Sequence, residues 1–203
     1  MTPTVVLLIV GLLYIVVFGG LSLLRREDLS FRFAVEAGIL TLVVTLLALA
    51  TPWQIHPVLF LIVLYLVTLR VRLLVDIGNL LARRGNHRAA AATYRLARRL
   101  WPDDAGRLIV QINQGVLGLQ AGRLDEAIAA LKGVLAAAKG GYLGIRHECG
   151  CHYNLAVAYQ RKGLDAPAAL EFNAVLDTWP ASEYAQRAEA ALARREKTIT
   201  SKE

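Results

Sequence analysis

The chain is poor in the residues from which disulfide scaffolds and active sites are usually built. Cysteine occurs only at Cys149 and Cys151. The two are too close together to staple a fold, which excludes a secreted disulfide framework and suits a reducing cytoplasm. Serine is confined to Ser22, Ser30, Ser182 and Ser201, and no Ser–His–acid set suggests itself. The sequence has no phosphate-binding loop, no dinucleotide fingerprint and no His-Glu-x-x-His zinc pattern. Charge is missing altogether from residues 5–24, and no Lys or Arg lies before that run or between Thr51 and Pro57. An enzyme is therefore not expected, nor a cofactor, a metal or a small-molecule substrate.

What fills the space is aliphatic. Hydrophobic residues make up 56% of the 203, with a mean hydropathy of +0.45, well above an ordinary soluble domain. They are unevenly placed. Up to Leu69 the chain is nearly all aliphatic; beyond Arg83 it is rich in Ala, Arg and Leu with regular charges. This shift divides an expected membrane region, residues 1–69, from a water-facing region. Residues 5–24 are long enough to cross a hydrocarbon core of about 30 Å. They do not read as a typical signal peptide, because no basic segment precedes them and Arg25-Arg26 follows in place of a small-residue cleavage site.

A second span is expected over residues 33–51. Its one acid, Glu36, stands a turn from the end and reads as an interfacial residue. A membrane enzyme or transporter would have Glu36 as its only handle. A third span is expected from Pro57, extended by snorkelling arginines to about residue 75, or else a re-entrant segment. No Pro or Gly interrupts residues 58–77, so this span is expected to run unbroken into the helix that follows. Arg25, Arg26 and Arg32 lie between the first two spans. The positive-inside rule then puts the N-terminus outside and everything after Arg70 in the cytoplasm.

The net charge of +7 does not point to nucleic acid. Arg70, Arg72, Arg83, Arg84, Arg88, Arg95, Arg98 and Arg99 follow directly on the last apolar run. There they mark the cytoplasmic side of a bilayer and can touch anionic lipid, or simply solvate a helix face. Abundant Arg and Ala suggest a GC-rich bacterial genome, and hence an inner cell membrane.

The water-facing region repeats itself. Three segments each have a helical stretch, a Gly turn and a second helix with Ala five residues past the Gly: Gly85 with Ala90 and Tyr94, Gly122 with Ala127 and Leu131, Gly163 with Ala168 and Phe172. Pro102 and Pro180 close the first and third. Gly ends the first helix where a left-handed residue is needed, and Ala lets the paired helices approach. Each pair is too small to bury its own apolar face, so pairs must stack.

This arrangement resembles the tetratricopeptide repeat, over residues 71–104, 108–141 and 149–182. The middle repeat departs from the pattern: Gly118 replaces an aromatic and Lys139 a proline, and residues 136–145, with Gly140, Gly141 and Gly144, read as a loop. Residues 183–203 are expected to close the stack, with Tyr184, Ala188, Ala191 and Leu192 on one face. The fold class is thus all-α: apolar N-terminal helices, a three-repeat solenoid and a capping helix.

The resemblance implies a concave groove lined by the first helices. By position it would hold Arg72, Val75, Asn79 and Arg83; Ile109, Ile112, Asn113, Val116 and Leu119; and Tyr153, Val157, Gln160 and Arg161. Some of these would instead pack against the third span or the closing helix. An apolar centre with basic ends suits a protein partner with an apolar anchor and acidic flanks. Asn79 and Asn113 fall where family members that clamp a chaperone's C-terminal carboxylate have two Asn. The charged positions do not match, since Val75, Gly150 and Asn154 stand there, so that form of binding is rejected. A membrane-anchored scaffold is the expected function; the alternative is an accessory subunit working through its spans, where Gly11, Gly19, Gly20 and Gly38 permit close contact.

His147-Glu148-Cys149-Gly150-Cys151-His152 is the one segment with metal-ligand residue types. It lacks both a closed zinc set and the spacing of haem attachment, and reads as the start of a packed helix.

Overall fold

The computed structural model of the chain describes residues 3–24, 31–51, 55–138 and 143–200, and every regular element among them is a helix. Arg25 and Arg26, Trp53, Lys139, Gly140, Gly141 and the last three residues, all used in the sequence reading, lie outside the described residues.

Two helices open the chain, α1 (Pro3–Leu24) and α2 (Phe31–Ala50). In lipid every backbone N–H and C=O must be satisfied within its own segment, which a helix achieves. At about 1.5 Å per residue both are long enough for the hydrocarbon core, and both are apolar enough to cross a membrane. They pack with α3 (Pro57–Thr68) around Leu7, Tyr14, Phe33, Ala37, Phe60 and Leu64. α1 and α2 approach very closely at Gly11, where a Cβ would stand 2.3 Å from the Thr41 side chain. Thr41 donates its hydroxyl to Ala37 O at 2.7 Å, so its polar atom is satisfied within the helix. The outward faces, including Leu13, Val16, Leu42 and Leu49, remain exposed. A surface this apolar is expected where the solvent is lipid.

The third apolar segment differs from its expected form. α3 has 12 residues and reaches about 18 Å, less than a bilayer core. It does not continue into the next helix. The chain breaks at Leu69, and α4 (Arg70–Arg83) leaves at 74° to α3. Neither Pro nor Gly causes the bend. Arg70 is instead drawn aside: its Nη1 donates to Val67 O at 2.6 Å and to Glu36 Oε2 at 2.6 Å, and its Nε to Leu100 O at 3.0 Å. The expectation of one rigid helix from the third span into the first repeat was therefore wrong, because a long-range ion pair overrides an uninterrupted helical pattern.

Beyond the bend, helices pair and the pairs stack. α4 packs on α5 (His87–Arg99), α6 (Asp104–Gln120) on α7 (Leu124–Ala138), and α8 (Ile145–Arg161) on α9 (Asp165–Thr178). Each pair turns through a glycine in the left-handed region, Gly85 at φ +77 and Gly122 and Gly163 at +75, which only glycine adopts without strain. Ala90, Ala127 and Ala168, five residues on, are buried at the crossing, and Tyr94, Leu131 and Phe172 are buried one turn later. Under Tyr94 the first helix needs Gly78, where a Cβ would lie 2.3 Å from the ring.

The clusters run on from pair to pair. Val110 and Leu117 of α6 join Val75, Ala90, Tyr94 and Ala97, while Leu108 and Ile112 of the same helix join Leu131, Val134, Cys151 and Leu155. No pair owns its core, as in a helical repeat array. α10 (Glu183–Thr200) closes the stack, burying Ala185 and Ala188 against Cys149, Ala156 and Phe172. Ser182 fixes its start by accepting from Ala185 N at 3.0 Å. Its outer side stays charged, with Arg187 paired to Glu183.

Candidate partner groove

The first helices of the three pairs, α4, α6 and α8, line one concave space of about 740 Å³. Val75, Ile109, Ile112, Val116 and Leu117 form an apolar floor, of which Val75, Ile112 and Leu117 are buried and Ile109 and Val116 half-buried. Three asparagines stand along it. Asn79 Oδ1 accepts from the Tyr94 hydroxyl at 2.7 Å. Asn113 and Asn154 each donate to the carbonyl four residues back, Ile109 O and Gly150 O, at 2.7 Å. Each amide is thus held by one bond with the rest of its hydrogen-bonding capacity left over. Burial pushes the Tyr94 phenol up to about 12, so it stays a proton donor to Asn79 at any physiological pH.

The rim is charged. Arg32, Arg70, Arg72, Arg83, Arg146 and Arg187 outweigh Glu36, Asp76 and Asp103. Arg32 and Arg70 are both committed to Glu36 and Arg187 to Glu183, whereas Arg83 and Arg146 have no ion pair among the described residues. One end of the groove belongs to the apolar helices: Arg32, Phe33 and Glu36 of α2 and Thr68 of α3 share its lining. The groove therefore opens beside the point where the chain leaves its apolar helices.

Most of the residues assigned to a groove from the sequence face this space: Arg72, Val75, Asn79, Arg83, Ile109, Ile112, Asn113, Val116 and Tyr153. Leu119 does not. It is 4% exposed and packs with Ala127 and Ala158 between the second and third pairs. Val157, Gln160 and Arg161 line a separate recess between α8 and α10, with Gln186, Ala190 and Arg194. α10 lies over this half of α8, and Arg161 is turned back to Leu119 O at 3.1 Å.

Sequence reasoning placed Asn154 only as a mismatch to a carboxylate clamp, and missed Arg146, Trp101 and the contribution of α2. Asn154 had a signal, since it follows Asn79 and Asn113 on the third first-helix. The others depend on contacts too remote in sequence to leave one.

The segment from His147 to His152 disperses its side chains. Cys149 Sγ lies 3.4 Å from Ser182 Oγ, Cys151 Sγ donates to Leu131 O at 3.5 Å, and His152 Nδ1 meets Glu171 Oε2 at 2.7 Å. Among the described residues no three His, Cys, Asp or Glu side chains converge as metal ligands would. Burial raises both thiols, Cys151 to about 12. They behave as small core residues, not as nucleophiles.

No family model matches the chain, and no curated protein or solved structure is similar to it.

Proposed function

We propose that this chain is a membrane-anchored scaffold of tetratricopeptide type, whose groove receives an extended or helical segment of a partner protein on the cytoplasmic face of a bacterial cell membrane. The observation that carries this reading is the groove itself. One helix from each of three stacked pairs contributes to it, its floor is apolar, its rim is basic, and fixed amides punctuate it. Such a surface suits a segment with an apolar anchor and acidic flanks. The positive-inside rule supports the orientation, with the N-terminus outside, as does the return of α3 to the end where α2 begins, where Arg70 meets Glu36.

The test is capture from mild detergent, comparing the full chain with Val116→Asp and with Asn113→Arg. A partner retained by the unaltered chain and lost from both variants, with unchanged melting of the chain, supports the reading. Equal capture by all three would end it.

A second reading is an accessory subunit of a larger membrane complex, acting through its spans. It is favoured by Gly19, Gly20 and Gly38, where a Cβ would meet nothing within 4 Å. These positions leave room for another helix. Capture that depends on Gly38→Leu and ignores the groove variants would select it.

A further inference from the structure

Trp101 is the one non-glycine among the described residues with positive φ, at 47°, and its side chain is 78% exposed. A bulky residue held in the left-handed region is a genuine outlier. A large indole left open to water is unfavourable, and no packing in the chain explains it. Its surroundings do. Trp101 follows the last turn of α5 directly, and Arg70, at the break between α3 and α4, donates to Leu100 O at 3.0 Å and approaches Trp101 O at 3.5 Å. Trp101 also shares a cavity lining with Arg32 and Phe33 of α2. The backbone at Trp101 is therefore held close to where α2 enters its apolar run, and such a level is where tryptophan concentrates in membrane proteins.

The preceding helix offers the complementary charge. Arg95, Arg98 and Arg99 stand three and four residues apart, on one face. All three are exposed, and none has an ion pair among the described residues. Leu96 beside them is 47% exposed. The 74° bend turns the first helix pair away from the line of α3.

We infer that the end of α5 rests on the bilayer its own chain crosses, with the Trp101 indole among the lipid headgroups and Arg95, Arg98 and Arg99 on anionic phosphates. This contact holds the first helix pair against the membrane at the end of the groove nearest α2.

The test uses the full chain in lipid nanodiscs. Trp101 is exposed, so Trp101→Phe leaves the fold intact, and the difference in emission between the two proteins isolates Trp101 from Trp53 and Trp179. That difference signal is expected to be quenched by phosphatidylcholine brominated near the glycerol end of its acyl chains. Quenching is expected to strengthen about twofold when phosphatidylglycerol is included, and to lose that gain in Arg98→Gln/Arg99→Gln. A signal untouched by brominated lipid but quenched by aqueous iodide overturns the inference. So does an equal response to soluble glycerol phosphate alone, which would indicate a phosphate site and not a bilayer, and so does quenching indifferent to phosphatidylglycerol and to the arginines. A nitroxide attached through Leu96→Cys gives an independent reading that leaves Trp101 in place. Oxygen is expected to relax it more than a water-soluble nickel chelate does, and the reverse order contradicts the contact.

Discussion

Arg70 grips both carboxylate oxygens of Glu36, at 2.6 and 3.1 Å, across 34 residues of sequence. Arg32 adds a third contact to the same carboxylate at 2.8 Å. Glu36 belongs to α2 and Arg70 to the first turn of α4, so the pair joins the apolar bundle to the helical repeats. Both side chains are about three-quarters buried, and neither charge could stay there unpaired without a penalty.

Breaking that pair from one side should therefore loosen the joint. Glu36→Gln or Arg70→Met is expected to cost about 2 kcal/mol, below the roughly 3–5 kcal/mol of a fully buried pair because some solvent reaches it. The double variant should cost less than the sum of the two. Thermal melting of the four proteins in detergent gives the coupling. Limited proteolysis in vesicles should show new cutting between Leu69 and Leu80 in the single variants only.

The same pair shows where the sequence could and could not be read. The internal repeat was legible because its physics is local: a glycine turn, an alanine crossing and an aromatic or leucine one turn on leave a fixed spacing. Ala90, Ala127 and Ala168 are buried where that spacing puts them. The two long apolar helices were legible from composition alone. The break at Leu69 was not, because nothing between Val58 and Ile77 signals it and its cause lies on α2. Glu36 read as an isolated interfacial acid for the same reason. In the groove, positions near the centre of the stack were placed by repeat spacing. Val157, Gln160 and Arg161 line a separate recess, because the coverage by α10 depends on how the last helix turns back.

Gly78 should be among the least replaceable residues of the first pair. A Cβ there meets the Tyr94 ring at 2.3 Å, and the ring cannot retreat without losing its bond to Asn79. Gly78→Ala is expected to destabilise the chain by about 1–3 kcal/mol, in the range of overpacked cores, despite alanine's better helix propensity. Gly38→Ala, with open space around it, is the control and should be near neutral. Melting temperatures in one detergent decide between them.

Alkaline pH should weaken the repeats through two groups that the fold keeps protonated. Cys151 is raised from 9.0 to about 12 and Tyr94 from 10.0 to about 12, so the folded chain keeps protons that the unfolded chain releases. Stability is then undiminished below about pH 9 and falls as pH rises from there toward 12. Guanidinium titrations monitored by helix signal should show the midpoint dropping through that window. In Cys151→Ala/Tyr94→Phe the drop should be smaller.

The two cysteines should also resist labelling. Both are buried, with raised thiols, and the thiolate is the reactive form. A maleimide in excess at neutral pH is expected to modify neither in the folded chain and both in denaturant. Rapid modification of the native protein would show that α8 opens readily.

The placement of oily helices in lipid and a groove in water is tested most directly by accessibility in membranes. Val16 on α1 is 68% exposed and Arg83 lies on the groove rim. Each is replaced by cysteine in turn, in vesicles opened so that both faces are reachable, and treated with a charged maleimide that does not enter hydrocarbon. Arg83→Cys should label fully, and Val16→Cys should remain unlabelled. Equal labelling of the two in intact bilayers would mean that α1 faces water, and a membrane-anchored scaffold would be the wrong description of this chain.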